Sequence, residues 1–283
     1  MTNIPDIIEN VKNGVVKVTF YDAGDPLNSG SGFLCKNKLI SNNHVFFPNG
    51  QKLDSTSVGI RFGDTLPGDE DPILINYEDL IKCNEGGSQE DYYDFIIIDL
   101  IKAVEDTVDK KLTIDIGNIE DRFNFELADH TDVQEGEKIL IMGFPFGANN
   151  ITSHIGYISS IFKDDTANII QLDASTNNGN SGGPVIDLNT KNVIGIITRK
   201  KTGLAKSFDD LEKSFDKNLE ALSLVNGTMT IGGNIDLIQS FKATQVQMKI
   251  VSKNIKRSAN TGIGFAFSCD KLKQENFYLG RSN

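Results

Sequence analysis

The chain has 283 residues, 39% of them hydrophobic and 24% charged, which is enough material for a sizeable buried core. A net charge of -11 and a pI near 4.8 exclude the basic footprint that a nucleic-acid partner requires. Three cysteines, Cys35, Cys83 and Cys269, lie far apart without a C-x-x-C pair, so free buried thiols are expected rather than a disulfide framework or a zinc site.

The opening segment, MTNIPDIIENVKNG, lacks the basic start and apolar stretch of a signal peptide. The longest apolar runs, such as FIIIDLI, are too short to span a bilayer. A cytoplasmic protein without a membrane partner is expected.

Residues 4–12 have the pattern of a short amphipathic helix that ends at Gly14. From there to about residue 200, short β-branched or aromatic runs alternate with turn residues: VVKVTFY (15–21), SGFLCK (31–36), KLISN (38–42), SVGIRF (57–62), FIIIDL (95–100), KILIMGF (138–144), IGYISSIF (155–162), NIIQLD (168–173), PVIDL (184–188) and NVIGIIT (192–198). Many short strands punctuated by Gly, Asn, Asp and Pro predict an all-β sandwich or barrel rather than βαβ units. The stretch 101–125 is read as strand plus loop.

After residue 203 the period changes. Phe208, Leu211, Phe215, Leu219 and Leu222 recur at helical spacing, with Ser207 and Asp210 at the expected start. Asn226-Gly227 and Gly232-Gly233 interrupt the chain. A second stripe then runs through Leu237, Ile238, Phe241, Gln245, Met248, Val251 and Ile255. A last strand, GIGFAFS (262–268), follows this helical pair.

Three segments carry residue types suited to nucleophilic catalysis. GSGFLCKNKLISNNHVF (30–46) ends on His44 just past a strand, DYYDFIIIDL (91–100) sets Asp94 before an apolar strand, and DASTNNGNSGGPVID (173–187) holds Ser181 in a Gly-rich turn. A serine hydroxyl is a poor nucleophile until an adjacent base takes its proton, and histidine has the pKa for that exchange near pH 7. A carboxylate on the far ring nitrogen fixes the tautomer. Gly179 has the backbone freedom to aim its N–H, with that of Ser181, at a developing oxyanion; losing one such donor typically costs about 3 kcal/mol. Other candidates are weaker. His130 lies in a polar stretch and is expected in a solvated loop, while His154 sits at a hairpin as a minor substrate contact. Asp91 and Asp99 compete with Asp94, but Asp99 falls at an odd offset that turns it to the other face of the sheet.

At these residues the chain resembles the trypsin-like, chymotrypsin-fold serine proteases, and among them the HtrA-like branch. ISNNHV is similar to that branch's T-N-N-H-V motif, DFIIIDL to its aspartate-bearing strand, and QLDASTNNGNSGGPVIDLNTKNVIGI to its nucleophile segment. MGFPFG with ITSHIGYIS resembles a family hairpin, and GIGFAFS its closing strand. The resemblance covers roughly residues 14–200 and 260–273. It implies an all-β fold of two six-stranded antiparallel barrels with the site in the cleft between them. Residues 1–125 would form the barrel with His44 and Asp94, and 126–283 the barrel with Ser181, carrying a helical-pair insertion at about 205–257.

The implied activity is that of a serine endopeptidase working through an acyl-enzyme on protein or peptide substrates, without metal or cofactor. Ser181 would attack, His44 carry the proton, Asp94 orient the ring, and the Gly179 and Ser181 amides hold the oxyanion. The pocket floor falls at Ser175 and Thr176 and its wall at Thr198, Arg199 and Lys200. With no carboxylate at the floor, small or medium apolar side chains are expected; Thr176 with Arg199 or Lys200 would instead favour an acidic one. Val45 replaces the disulfide-bonded cysteine of secreted relatives, which fits a reducing compartment. Asn180 replaces the aspartate that pairs with a freshly cut N-terminus, which argues against activation by cleavage. Too few residues follow the last strand for a PDZ domain. The helical pair, a cap by its apolar faces, lies where a regulatory partner would act on the pocket. The alternative function is a protease-fold binding, scaffold or chaperone-like protein with weak catalysis.

Overall fold

A computed structural model describes residues 3–65, 72–90, 93–107, 117–164, 167–198, 203–225, 230–231, 235–258 and 262–280. They fall in two compact units, Met1–Arg199 with Gly262–Asn283, and Lys200–Thr261.

In the first unit, a helix α1 (Ile4–Val11) with Ile7 and Val11 buried leads into seven strands: β1 (Val15–Asp22), β2 (Asp25–Cys35), β3 (Lys38–Ser41), β4 (Ser57–Phe62), β5 (Ile73–Asn76), β6 (Asn84–Glu90) and β7 (Tyr93–Ile98). They pair antiparallel in the order β5-β4-β1-β2-β3-β7-β6. Both faces of this sheet are covered. Val16, Val18, Phe20, Leu34, Leu39, Ile96 and Ile98 pack to one side, and Val15, Phe33, Ile40, Phe95 and Ile97 to the other. That is why the end of β7, Phe95–Ile98, reads as a continuous apolar run rather than a clean alternation.

The second set comprises β8 (Lys138–Gly143), β9 (Thr152–Asp164), β10 (Ala167–Asp173), β11 (Pro184–Asp187), β12 (Val193–Thr198) and, after the second unit, a returning strand at Ile263–Ser268. These six close into a barrel around Ile139, Ile141, Ile170, Leu172, Val185, Ile194 and Ala266. Leu140, Met142, Ile186, Ile196 and Phe267 face outward and share one core with the first sheet.

The first half departs from expectation: it is an open seven-stranded sheet, not a closed six-stranded barrel. Its edges explain this. The strand β5 is only four residues long, and β6 reads NEGGSQE with a bulge between Asn84 and Gly86. A short edge and a bulged, glycine-containing one are devices that keep sheet edges from pairing.

Short helices also appear where none was expected: α2 (Asn43–Phe46), α3 (Tyr77–Lys82), α4 (Leu100–Thr107) and α5 (Gly117–Glu120). The strand-plus-loop reading of 101–125 is thus corrected. Leu100, Ala103 and Val104 are fully buried at helical spacing, and an Asp99 carboxylate oxygen accepts the Lys102 amide at 3.1 Å as an N-cap.

The second unit holds α6 (Gly203–Ser223), two-residue strands β13 (Thr230–Ile231) and β14 (Ile235–Asp236), and α7 (Leu237–Ser258). The helix α6 begins four residues before Ser207, the start expected from capping chemistry. The strand β15 (Ile263–Ser268) closes the barrel, and α8 (Asn276–Leu279) ends the described chain.

Candidate active site

His44 sits in α2, immediately after β3. Asn42, 0% exposed, ends the approach: its side-chain amide donates to the Asp94 carbonyl at 2.7 Å and ties the start of α2 to β7. One Asp94 carboxylate oxygen accepts the His44 backbone amide at 2.8 Å, and the other meets His44 Nδ1 in a short contact. The imidazole side chain is 39% exposed and the carboxylate 17%, so the ring is reachable from solvent while its partner is shielded. Asp99 is occupied elsewhere, in an ion pair with Lys38 at 2.6 Å, and Asp91 lies outside the described residues.

Ser181 lies in the turn between β10 and β11 and is 6% exposed. Its carbonyl accepts the Ser31 amide at 2.9 Å, which stitches the turn to β2. The next residue, Gly182, has φ +86° and packs so tightly that a Cβ would lie 2.2 Å from the Ser31 carbonyl oxygen and 2.4 Å from Ser41 Oγ. Its third near neighbour is the Asn42 amide nitrogen. The serine turn therefore abuts the chain two residues before His44. Among the described residues no hydrogen bond joins the His44 ring to the Ser181 hydroxyl.

Gly179, at φ +97°, fills a similar gap: a Cβ there would meet the Phe144 carbonyl at 2.2 Å. Among the described residues neither the Gly179 nor the Ser181 amide is spent on a backbone acceptor, whereas the Asn180 amide donates to Asn177 at 3.0 Å. On either side of the turn, the buried atoms Asn42 Oδ1 and Asn180 Nδ2 lack a partner among the described residues.

Two supporting residues were not singled out from sequence. Ser31 is a hub: its hydroxyl donates to the Gly179 carbonyl at 2.6 Å and accepts the Phe144 amide at 2.9 Å, while its carbonyl accepts Ser41 Oγ at 2.6 Å. Its signal was a small polar residue between two glycines just before the apolar, buried end of β2. Lys17, 7% exposed on β1, donates to the Gly147 carbonyl at 2.7 Å and Asn149 Oδ1 at 2.8 Å. Burial and the neighbouring Arg61 charge push its pKa down. It anchors the loop bearing Phe146, whose amide donates to the Asn178 carbonyl just before Gly179.

Of the pocket residues, Thr176 packs on Gly264 of β15, and Thr198 pairs with Phe265, the next residue of that strand. Ser175 is half-buried on the same segment as Thr176, while Arg199 and Lys200 lie outside the described residues. His154 lies within β9, opposite Ile141 of β8. His130 is not the solvated loop residue expected. It is half-buried, with Nδ1 3.0 Å from an Asp270 carboxylate oxygen, and Asn168 donates to the other oxygen of Asp270 at 2.6 Å.

A closed antiparallel barrel joined to a half-barrel sheet, with histidine, aspartate and serine contributed in that chain order, defines the chymotrypsin-like class of fold. The trypsin-like peptidase domain family matches residues 30–196, and the chain belongs to that family. It is 45% identical over 80 residues to the probable periplasmic serine endoprotease DegP-like of Rickettsia conorii (strain ATCC VR-613 / Malish 7), a match covering 26% of this chain and 16% of that one. It is 28% identical over 217 residues to human serine protease HTRA3, covering 70% of this chain and 40% of that one. The chain thus spans less than half the length of these relatives. The solved structure of the HtrA-type protease AlgW with tripeptide shares its fold at a TM-score of 0.53 and 17% identity, over 99% of this chain and 65% of that one.

Proposed function

We propose that this chain is a serine endopeptidase that hydrolyses protein or peptide substrates through an acyl-enzyme. The observation that carries this reading is the double grip of Asp94 on the Nδ1 and backbone amide of His44. With Nδ1 held as donor, Nε2 is the free lone pair, the one that a general base needs.

In the proposed first step, Ser181 Oγ attacks the scissile carbonyl and passes its proton to His44 Nε2. The tetrahedral oxyanion is held by the Gly179 and Ser181 amides, which have no competing backbone acceptor among the described residues. The protonated imidazole then gives its proton to the leaving amine, the C–N bond breaks, and an acyl ester remains on Ser181. Water, deprotonated by His44, attacks that ester and restores the serine. The carboxylate of Asp94 stabilises the imidazolium between these steps.

For specificity, we propose a pocket with Ser175 and Thr176 at its floor and Thr198, Arg199 and Lys200 at its wall, suited to a small or medium apolar side chain. An acidic side chain is the alternative if Arg199 or Lys200 reaches in. The helical pair is joined through short connections to β12 and β15, the strands bearing Thr198 and Gly264, so we further propose that a ligand on it alters the pocket. The buried thiols of Cys35 and Cys269 support a reducing, intracellular setting.

The test is digestion of a reduced, unfolded protein followed by mass spectrometry. The proposal expects discrete cleavage by the wild-type chain and none by a folded Ser181→Ala variant. The absence of a hydrogen bond between His44 and Ser181 favours a second reading, a protease-fold binding protein. That reading expects both proteins to retain the substrate equally and neither to cut it.

A further inference from the structure

The direction of the Gly179 amide is decided one residue back. The Asn178 carbonyl accepts the Phe146 amide, and in a trans peptide the C=O and the following N–H point opposite ways. While the Asn178 carbonyl is turned toward Phe146, the Gly179 N–H is turned away from it, with no backbone acceptor of its own among the described residues. Rotation of that one peptide would withdraw the donor.

Phe146 is a poor anchor by itself. It holds φ +57°, in the left-handed region, and Gly147 follows at φ +72°. A residue with a side chain adopts that region at a cost and stays there only when its surroundings hold it. The Phe146 side chain is 61% exposed, so its own packing does not offset the strain.

A cross-strand pair in the first sheet holds the loop on both sides of Phe146. Lys17 of β1 lies opposite Ser31 of β2. Ser31 Oγ accepts the Phe144 amide, two residues before Phe146. Lys17 Nζ donates to the Gly147 carbonyl, one residue after it, and to Asn149 Oδ1. Lys17 is buried, and among the described residues no carboxylate pairs with it. Burial and the Arg61 charge both work against its ammonium, so the cation depends on the two loop oxygens as the loop depends on the cation.

We propose that Lys17 is a positioning residue for the proposed reaction, which fixes the loop around Phe146 and so keeps the Gly179 amide aimed at the oxyanion. The inference rests on the serine-endopeptidase reading and adds a residue of the other sheet to it. Without the ammonium, Phe146 relaxes out of the left-handed region, the Asn178 carbonyl loses its donor, and the turn spends part of its time with one oxyanion donor fewer. Turnover falls with the competent fraction, while ground-state binding is untouched because the oxyanion forms only on the way to the transition state.

Two variants test this. Lys17→Met keeps most of the side chain's bulk and removes its charge and donors. Asn149→Ala deletes one of the two acceptors at an exposed position, and serves should the buried change unfold the chain. Amide hydrogen exchange by NMR is expected to show the Phe146 amide exchanging at least tenfold faster in Lys17→Met and less than that in Asn149→Ala, with the barrel strands as protected as in the wild type. On a peptide substrate, kcat is expected to fall by about tenfold or more in Lys17→Met, up to the roughly 10²- to 10³-fold of a lost oxyanion donor, with KM little changed. Asn149→Ala should fall between.

Unchanged exchange at Phe146 in both variants would overturn the proposal, as would faster exchange with kcat unaltered. So would an equal loss of protection throughout the barrel, the mark of general destabilisation. A wild-type chain that cuts no peptide would defeat the protease reading and this role with it, a failure told apart from the others because it precedes any substitution.

Discussion

Asp94 holds His44 at two points, its ring Nδ1 and its backbone amide, so the orientation of the imidazole and the path of the chain beneath it are fixed together. The short helix α2 is too small to position a side chain rigidly on its own. This paired grip, with the Asn42 amide on the Asp94 carbonyl, supplies the rigidity.

Asp94→Asn is therefore expected to leave thermal stability nearly intact while lowering kcat by about 10³- to 10⁴-fold, because the amide stabilises the wrong tautomer and cannot neutralise an imidazolium. Steady-state kinetics on a peptide ester, with KM little changed, checks it. A loss below tenfold would show that the carboxylate does not support the base.

Ser31→Ala removes the hydroxyl shared by the Gly179 carbonyl and the Phe144 amide. Stranding buried polar groups costs about 1–3 kcal/mol, so a lower denaturation midpoint is expected. Because the hydroxyl holds the Gly179–Ser181 turn, the proposed function has kcat falling more than KM rises; Ser31→Thr, which keeps the hydroxyl, should recover part of both.

Gly182→Ala is a steric test of how closely the serine turn meets β2 and β3. With φ at +86° and a Cβ 2.2 Å from the Ser31 carbonyl, the methyl group cannot enter without moving backbone. Left-handed strain and overpacking together suggest about 3 kcal/mol and a Tm lower by roughly 10 °C. Differential scanning calorimetry decides it, and an unchanged Tm would refute the described packing.

Acid stability should depend on Asp270. Burial alone would push its carboxyl up, but the neighbouring side chains of Ser268, His130 and Asn168 outweigh that and hold it at about 2, below the usual 3.8. A depressed folded-state pKa means that the contribution is complete above pH 3.8 and is lost as pH falls toward 2. After allowance for solvent screening it amounts to about 1 kcal/mol. Urea titrations of wild type and Asp270→Asn should differ near neutrality and converge at low pH; a constant gap would contradict this.

The parts of the site with demanding local chemistry were legible in the sequence. His44, Asp94 and Ser181 stand in segments whose glycines and strand ends have few other uses, and Gly179 does adopt positive φ. The open sheet was not legible, because whether β5 and β6 meet is decided by nonlocal pairing of two weak edges rather than by either segment's pattern. The helix α4 was missed because its three buried residues, Leu100, Ala103 and Val104, directly continue the apolar run of β7. Ser31 and Lys17 act through partners more than a hundred residues away, and no local pattern announces such contacts.

The most direct measurement is covalent labelling with a fluorophosphonate probe, read by intact mass and peptide mapping on protein shown to be folded. Activation of the hydroxyl by His44 predicts one adduct per chain, located on Ser181 and abolished by His44→Ala. A folded chain that stays unlabelled, or that carries the adduct on another residue, would contradict the account.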